Sequence, residues 1–155
     1  MDRLRRNGMG SDDGAAAVEF ALILPMLILM VLAIVDMGKM VSIRSALESA
    51  ARAAVQTSFA DPTSDAAMTA AASAALSTAG ITGGVVQTPV HLCECSSGAT
   101  VDCTTGTCAS GSVRHTVTVT VTKAYSPIYN LTNLPFGLGI DFTMTLSGAA
   151  TMRAK

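Results

Sequence analysis

Gly14-Ala15-Ala16-Ala17-Val18-Glu19-Phe20 runs without a break into Ala21-Leu22-Ile23-Leu24-Pro25-Met26-Leu27-Ile28-Leu29-Met30-Val31-Leu32-Ala33-Ile34-Val35. The 21 residues from Ala15 to Val35 carry one charge, Glu19. As a helix rising about 1.5 Å per residue they are long enough to cross a hydrocarbon core of roughly 30 Å. A carboxylate near the centre of such a span costs about 2.5–3.5 kcal/mol on insertion scales, and less towards the interface. Glu19 therefore needs a partner or a reason.

Glycine, four small or apolar residues, a glutamate and an aromatic, all ahead of an apolar helix, resemble the processing site of type IV prepilin-like proteins. The longer run from Gly14 to Pro25 is similar to that of the TadE-like pseudopilins of Tad pilus systems. The resemblance continues through Ile34-Val35-Asp36-Met37-Gly38, Ile43-Arg44-Ser45-Ala46-Leu47 and Ala50-Ala51-Arg52-Ala53-Ala54. The C-terminal Leu146-Ser147-Gly148-Ala149-Ala150-Thr151-Met152-Arg153 fits the same family's usual ending. The N-terminal motif covers about a third of the chain, and the cysteine-rich middle lies outside it.

The resemblance implies a minor pseudopilin that supports assembly or initiation of a pilus. Gly14 and Ala15 would flank a cut made by a prepilin peptidase, leaving residues 1–14 as a cytoplasmic leader. Glu19 and Phe20 would serve assembly. The new Ala15 ammonium would lie one helical turn from Glu19, suited to pair with a carboxylate on a neighbouring copy of the helix. The implied partners are the peptidase, other pilins and pseudopilins, the inner-membrane assembly platform and membrane lipid. The implied site is the inner membrane, crossed once, with the N-terminus cytoplasmic and the head periplasmic or carried into an extracellular pilus. The alternative is an uncleaved bitopic protein whose head binds an envelope partner. A cleaved signal peptide fits less well, because Ile34, Val35, Asp36 and Met37 stand where small residues belong and the apolar run exceeds 7–15 residues.

Composition agrees with a small anchored domain. The chain has 155 residues, a net charge of −1 and 14% charged residues, against roughly 25% in ordinary soluble domains. Its mean hydropathy is +0.47. No basic field invites nucleic acid. Arg3, Arg5 and Arg6 precede the span while Lys39, Arg44 and Arg52 follow it, so the positive-inside count barely decides orientation.

Beyond Val35 the pattern turns amphipathic. Met40, Ile43, Leu47, Ala50, Ala51 and Ala54 recur at helical spacing, with Lys39, Arg44, Glu48 and Arg52 elsewhere. The expected N-terminal helix spans 15–59, as a membrane span over 15–35 and an amphipathic extension over 36–59, about 67 Å in all. Pro25 predicts a kink or local unwinding, and Asp61-Pro62 ends the helix. The remaining head, 64–155, reads as α+β. Ser64 and Asp65 open a short helix to about Thr78, closed by Gly80. Strands are expected over Val85–Leu92, over Ser112–Lys123 and from Ile140 to the ending Leu146–Arg153, forming an antiparallel sheet of about three strands. In the second, Val113, His115, Val117, Val119 and Val121 face one way and Arg114, Thr116, Thr118, Thr120 and Thr122 the other. In the third, Ile140, Phe142, Met144 and Leu146 alternate with polar residues. Tyr125–Gly139, with Asn130-Leu131-Thr132 inside it, reads as an irregular connection.

Cys93, Cys95, Cys103 and Cys108 fall within 16 residues. An even number of cysteines in an oxidising compartment points to two disulfides stapling the loop 93–111. Cys93–Cys95 is the least comfortable pair, so the bridges should cross towards Cys103 and Cys108. Zinc is the competing reading, although the C-x-C and C-x4-C spacings are not those of a standard finger. His91 and His115 flank the cluster, and each reads first as a packed residue on a strand. Asp61, Asp65, Glu94, Asp102 and Asp141 are scattered, mostly at element ends. No phosphate loop, H-E-x-x-H or nucleophile elbow is present. The sequence thus predicts neither an enzyme nor a bound cofactor or metal.

Overall fold

The computed structural model describes residues 11–109, 111–127 and 143–153, with side chains from Gly14 onward. The chain divides into two compact units, Met1–Gly38 and Lys39–Lys155. Most of the expected leader, the Asn130 tripeptide, and Ile140, Asp141 and Phe142 of the last expected strand lie outside the described residues.

Helix α1 spans Ser11–Thr57 and runs unbroken through Pro25. Its portion in the first unit is an apolar surface: Val18, Phe20, Leu22, Ile23, Met26, Leu29, Met30 and Ile34 are all exposed. Its portion in the second unit is amphipathic. Leu47, Ala50, Ala51, Ala54 and Val55 are buried, while Glu48 pairs with Arg44 at 3.5 Å and with Arg52 at 3.4 Å on the solvent side. Exposed i,i+4 pairs of this kind each add about 0.3–0.5 kcal/mol.

Helix α2 spans Asp65–Thr78. It starts where expected because the Ser64 hydroxyl accepts a hydrogen bond from the Ala67 amide, satisfying one of the orphan donors of the first turn. It stops where expected because Gly80, with φ of +69°, takes the left-handed conformation that side chains disfavour. Met68, Ala72 and Leu76 form its buried face.

The sheet contains five described strands: β1 (Gly84–Val86), β2 (Val90–Cys95), β3 (Thr100–Val101), β4 (Val113–Tyr125) and β5 (Met144–Arg153). All neighbours are antiparallel. Strand β4 is the axis, with β5 along one side and β2 and β1 in succession along the other. Strand β3 extends the sheet beyond β2. The expected strand over Val85–Leu92 is thus two strands. Between them stands Pro89, which has no amide hydrogen to give to a ladder; Gln87 still donates its amide to Thr120. The two-residue β3 is too short for any alternation to announce it. Strand β5 ends at Arg153, as expected, and turns Leu146 and Gly148 inward.

The alternation in β4 decides where the core lies. Val117, Val119 and Val121 are fully buried and join the inner faces of α1 and α2 in one cluster, with Tyr125 and Leu146. Alanines on the helices let them come close to the β-branched surface of the sheet. At Gly148 the approach is closest, since a β-carbon there would collide with the backbone of Leu47 and Glu48. On the opposite face Thr118 and Thr151 hydrogen-bond through their hydroxyls at 2.9 Å.

Candidate functional site

Two regions hold the residues singled out from the sequence. In the first, Gly14, Ala15, Glu19 and Phe20 all lie within α1 and are exposed. A β-carbon at Gly14 would meet nothing within 4 Å. Nothing in the fold therefore demands glycine at this position. The helix that follows is the one helix among the described residues long and apolar enough to cross a membrane, and none of its apolar window is buried. So much uncovered apolar surface points to membrane anchoring.

The second region lies where β2, β4, the start of α2 and the cysteine loop meet. Cys93 is bridged to Cys103, with Cα atoms 5.2 Å apart, and Cys95 to Cys108, at 5.6 Å. Both bridges cross the loop, in the direction expected from the sequence. The alternation of β2 turns Cys93 and Cys95 inward, where both are buried. The loop itself is shaped by Asp102, whose Oδ1 accepts from the amides of Thr104 and Thr105, each at 2.9 Å, and from both hydroxyls. Those four donors favour the ionised form, the Thr104 hydroxyl foremost, and hold the carboxyl below the usual carboxylate range.

His91 and His115 do stand on strand faces, but they are not separate packed residues. His91 Nδ1 is 3.1 Å from His115 Nε2, and His91 Nε2 is 2.7 Å from Asp65 Oδ1. The result is a carboxylate–imidazole–imidazole chain reaching from the first turn of α2 to β4. Cross-strand register places Cys93 directly opposite His115. Partial burial, and then the neighbouring His91, lower the pKa of His115. A cavity of about 240 Å³ opens onto the group, lined by Thr63, Asp65, His91, Cys103, Thr104 and His115. The linkage was not readable from the sequence, because its members are separated by 24 and 26 residues and meet only through the β2–β4 register and the docking of α2 together.

Residues 14–56 match the family described as TadE-like protein. No curated protein and no solved structure matches the chain. The matched segment begins at Gly14, takes in the whole apolar run and ends inside the amphipathic part of α1, as the N-terminal motifs quoted above do; the C-terminal Leu146–Arg153 lies outside it. That family is pilus-related and not a family of enzymes. The match takes in 43 of the chain's 155 residues, and over that N-terminal segment, from the glycine through the apolar helix, the chain is similar to TadE-like proteins.

Proposed function

We propose that the chain is a minor pseudopilin of a Tad-type pilus, cut after Gly14 by a prepilin peptidase and used in assembling or initiating the filament. The observation that carries this reading is the family match over 14–56, which joins Gly14, Glu19 and the apolar helix in a single pattern. The physical argument supports it. A glycine in open space, without a β-carbon, lets a peptidase bring its catalytic groups to the backbone. A carboxylate five residues into the mature chain neutralises an Ala15 ammonium as helices leave lipid and gather side by side. The apolar surface around it suits lipid first and neighbouring helices afterwards.

In this reading the leader stays in the cytoplasm and the α+β unit lies on the far side of the inner membrane, where disulfides persist. Its partners are the peptidase, the other pilins and pseudopilins, and the assembly platform. Deleting the gene from a strain that makes Tad pili tests the role. Loss or severe reduction of surface pili, restored by the intact gene, is the expected result; normal piliation contradicts it.

A further inference from the structure

We propose that the reduced chain holds one divalent ion of zinc's class on Cys93, Cys103 and His115, and that the Cys93–Cys103 disulfide is the closed form of this site. The ligand atoms of these three residues lie within 4.8 Å of one another. An ion bound by thiolates at about 2.3 Å and by imidazole at about 2.0–2.1 Å bridges at most about 4.4 Å between sulfur and nitrogen, so a small side-chain movement, allowed once the disulfide opens, brings all three onto it. The residues come from β2, the cysteine loop and β4, so the fold, and not local sequence, brings them together.

The hydrogen-bond chain behind His115 determines which atom it can offer. The Asp65 carboxylate only accepts, so neutral His91 donates from Nε2 and accepts at Nδ1. His115 must then donate from Nε2 to His91, which leaves its Nδ1 lone pair for a metal. A ligating histidine backed through its other nitrogen by a polar chain ending in a carboxylate is the usual way a metal site orients its imidazole. His91 and Asp65 are thus positioning residues. The adjoining cavity of about 240 Å³ gives an ion a way in and leaves the fourth coordination place for water.

The redox step balances with an external dithiol. It passes two electrons and two protons to the Cys93–Cys103 bond and leaves as a disulfide. The two thiols then release two protons as they bind a divalent ion as thiolates. Cys95 and Cys108 take no part: Cys95 faces Val113 across the strands, and no histidine stands opposite it. The inference is independent of the pilus reading, because it rests on the geometry of the second unit alone.

Cobalt(II) is the probe, titrated anaerobically into the full chain in detergent micelles, before and after reduction with a phosphine. The reduced protein should bind one cobalt per chain with thiolate-to-cobalt charge-transfer absorption, and the oxidised protein should show none. His115→Ala should weaken binding at least about tenfold. Asp65→Asn should weaken it about 10–100-fold while the charge-transfer band persists at saturation. The double variant Cys95→Ser, Cys108→Ser should still bind one ion. Absence of the band in a reduced chain that keeps its strand circular dichroism overturns the proposal. So does collapse of that dichroism on reduction, indifference to His115→Ala, or binding that depends on Cys95 and Cys108 instead.

Discussion

Gly148 of β5 lies so close to Leu47 of α1 that no β-carbon fits between the strand and the helix backbone. Its backbone is not left-handed, so the requirement for glycine comes from proximity alone. This contact seats the amphipathic half of α1 on the sheet. Gly148→Ala should force helix and strand apart and cost about 1–3 kcal/mol, as overpacking of a tight core does. Urea unfolding of the micelle-held protein, followed by circular dichroism, should show a lower midpoint. Ala149→Gly, one residue along and on the exposed face, should cost much less.

The disulfide pairing is a second expectation. Peptide mapping without reductant should recover Cys93 with Cys103 and Cys95 with Cys108. The bridged residues are 10 and 13 positions apart. Closing loops of that size stabilises by about 2–3 kcal/mol each on the chain-entropy view. Replacing Cys95 and Cys108 together by serine should lower stability by that amount. Recovery of Cys93 with Cys108 would contradict the fold of the loop.

The bend between the helices should respond to acid. Asp61 Oδ1 accepts from the Thr63 amide at 2.9 Å and from the Thr63 hydroxyl at 2.8 Å. The Thr63 amide foremost, and then its hydroxyl, hold the carboxyl below its ordinary value of 3.8. A lowered folded-state value means that the stabilisation is present above about pH 3.8 and is lost as the pH falls through the lower folded-state value. Asp61→Asn should flatten stability over that acid window and leave it little changed in slope near neutrality. A carboxyl resonance for Asp61 titrating at or above 3.8 by NMR would refute the argument.

Much of this architecture was legible in the sequence, for identifiable reasons. Helix α1 declares itself by an apolar run followed by a helical period, α2 by Ser64 at one end and Gly80 at the other, and β4 by strict Val/Thr alternation. Each is a local pattern repeated over many residues. What could not be read was long-range. The split of one expected strand into β1 and β2 depends on how Pro89 sits against β4. The seat of α1 on Gly148 joins residues about a hundred positions apart. The Asp65–His91–His115 chain needs the β2–β4 register and the docking of α2 together, and no single-sequence period encodes either.

Glu19 provides a test in which insertion and assembly respond in opposite ways. Removing a charge from the apolar span should leave membrane insertion unchanged or improved in Glu19→Ala. On the proposed reading piliation should nevertheless fall sharply, because the carboxylate that would meet an Ala15 ammonium is gone. Surface pili counted by electron microscopy beside membrane levels by immunoblot separate the two effects. Wild-type piliation would make Glu19 a tolerated passenger.

Intact-mass measurement of the protein taken from membranes of cells with an active prepilin peptidase tests the central claim most directly. The account predicts a mature chain beginning at Ala15, and a Gly14→Val variant that stays at full length because a branched side chain occupies the scissile bond. A chain from those cells that still begins at Met1 would contradict it.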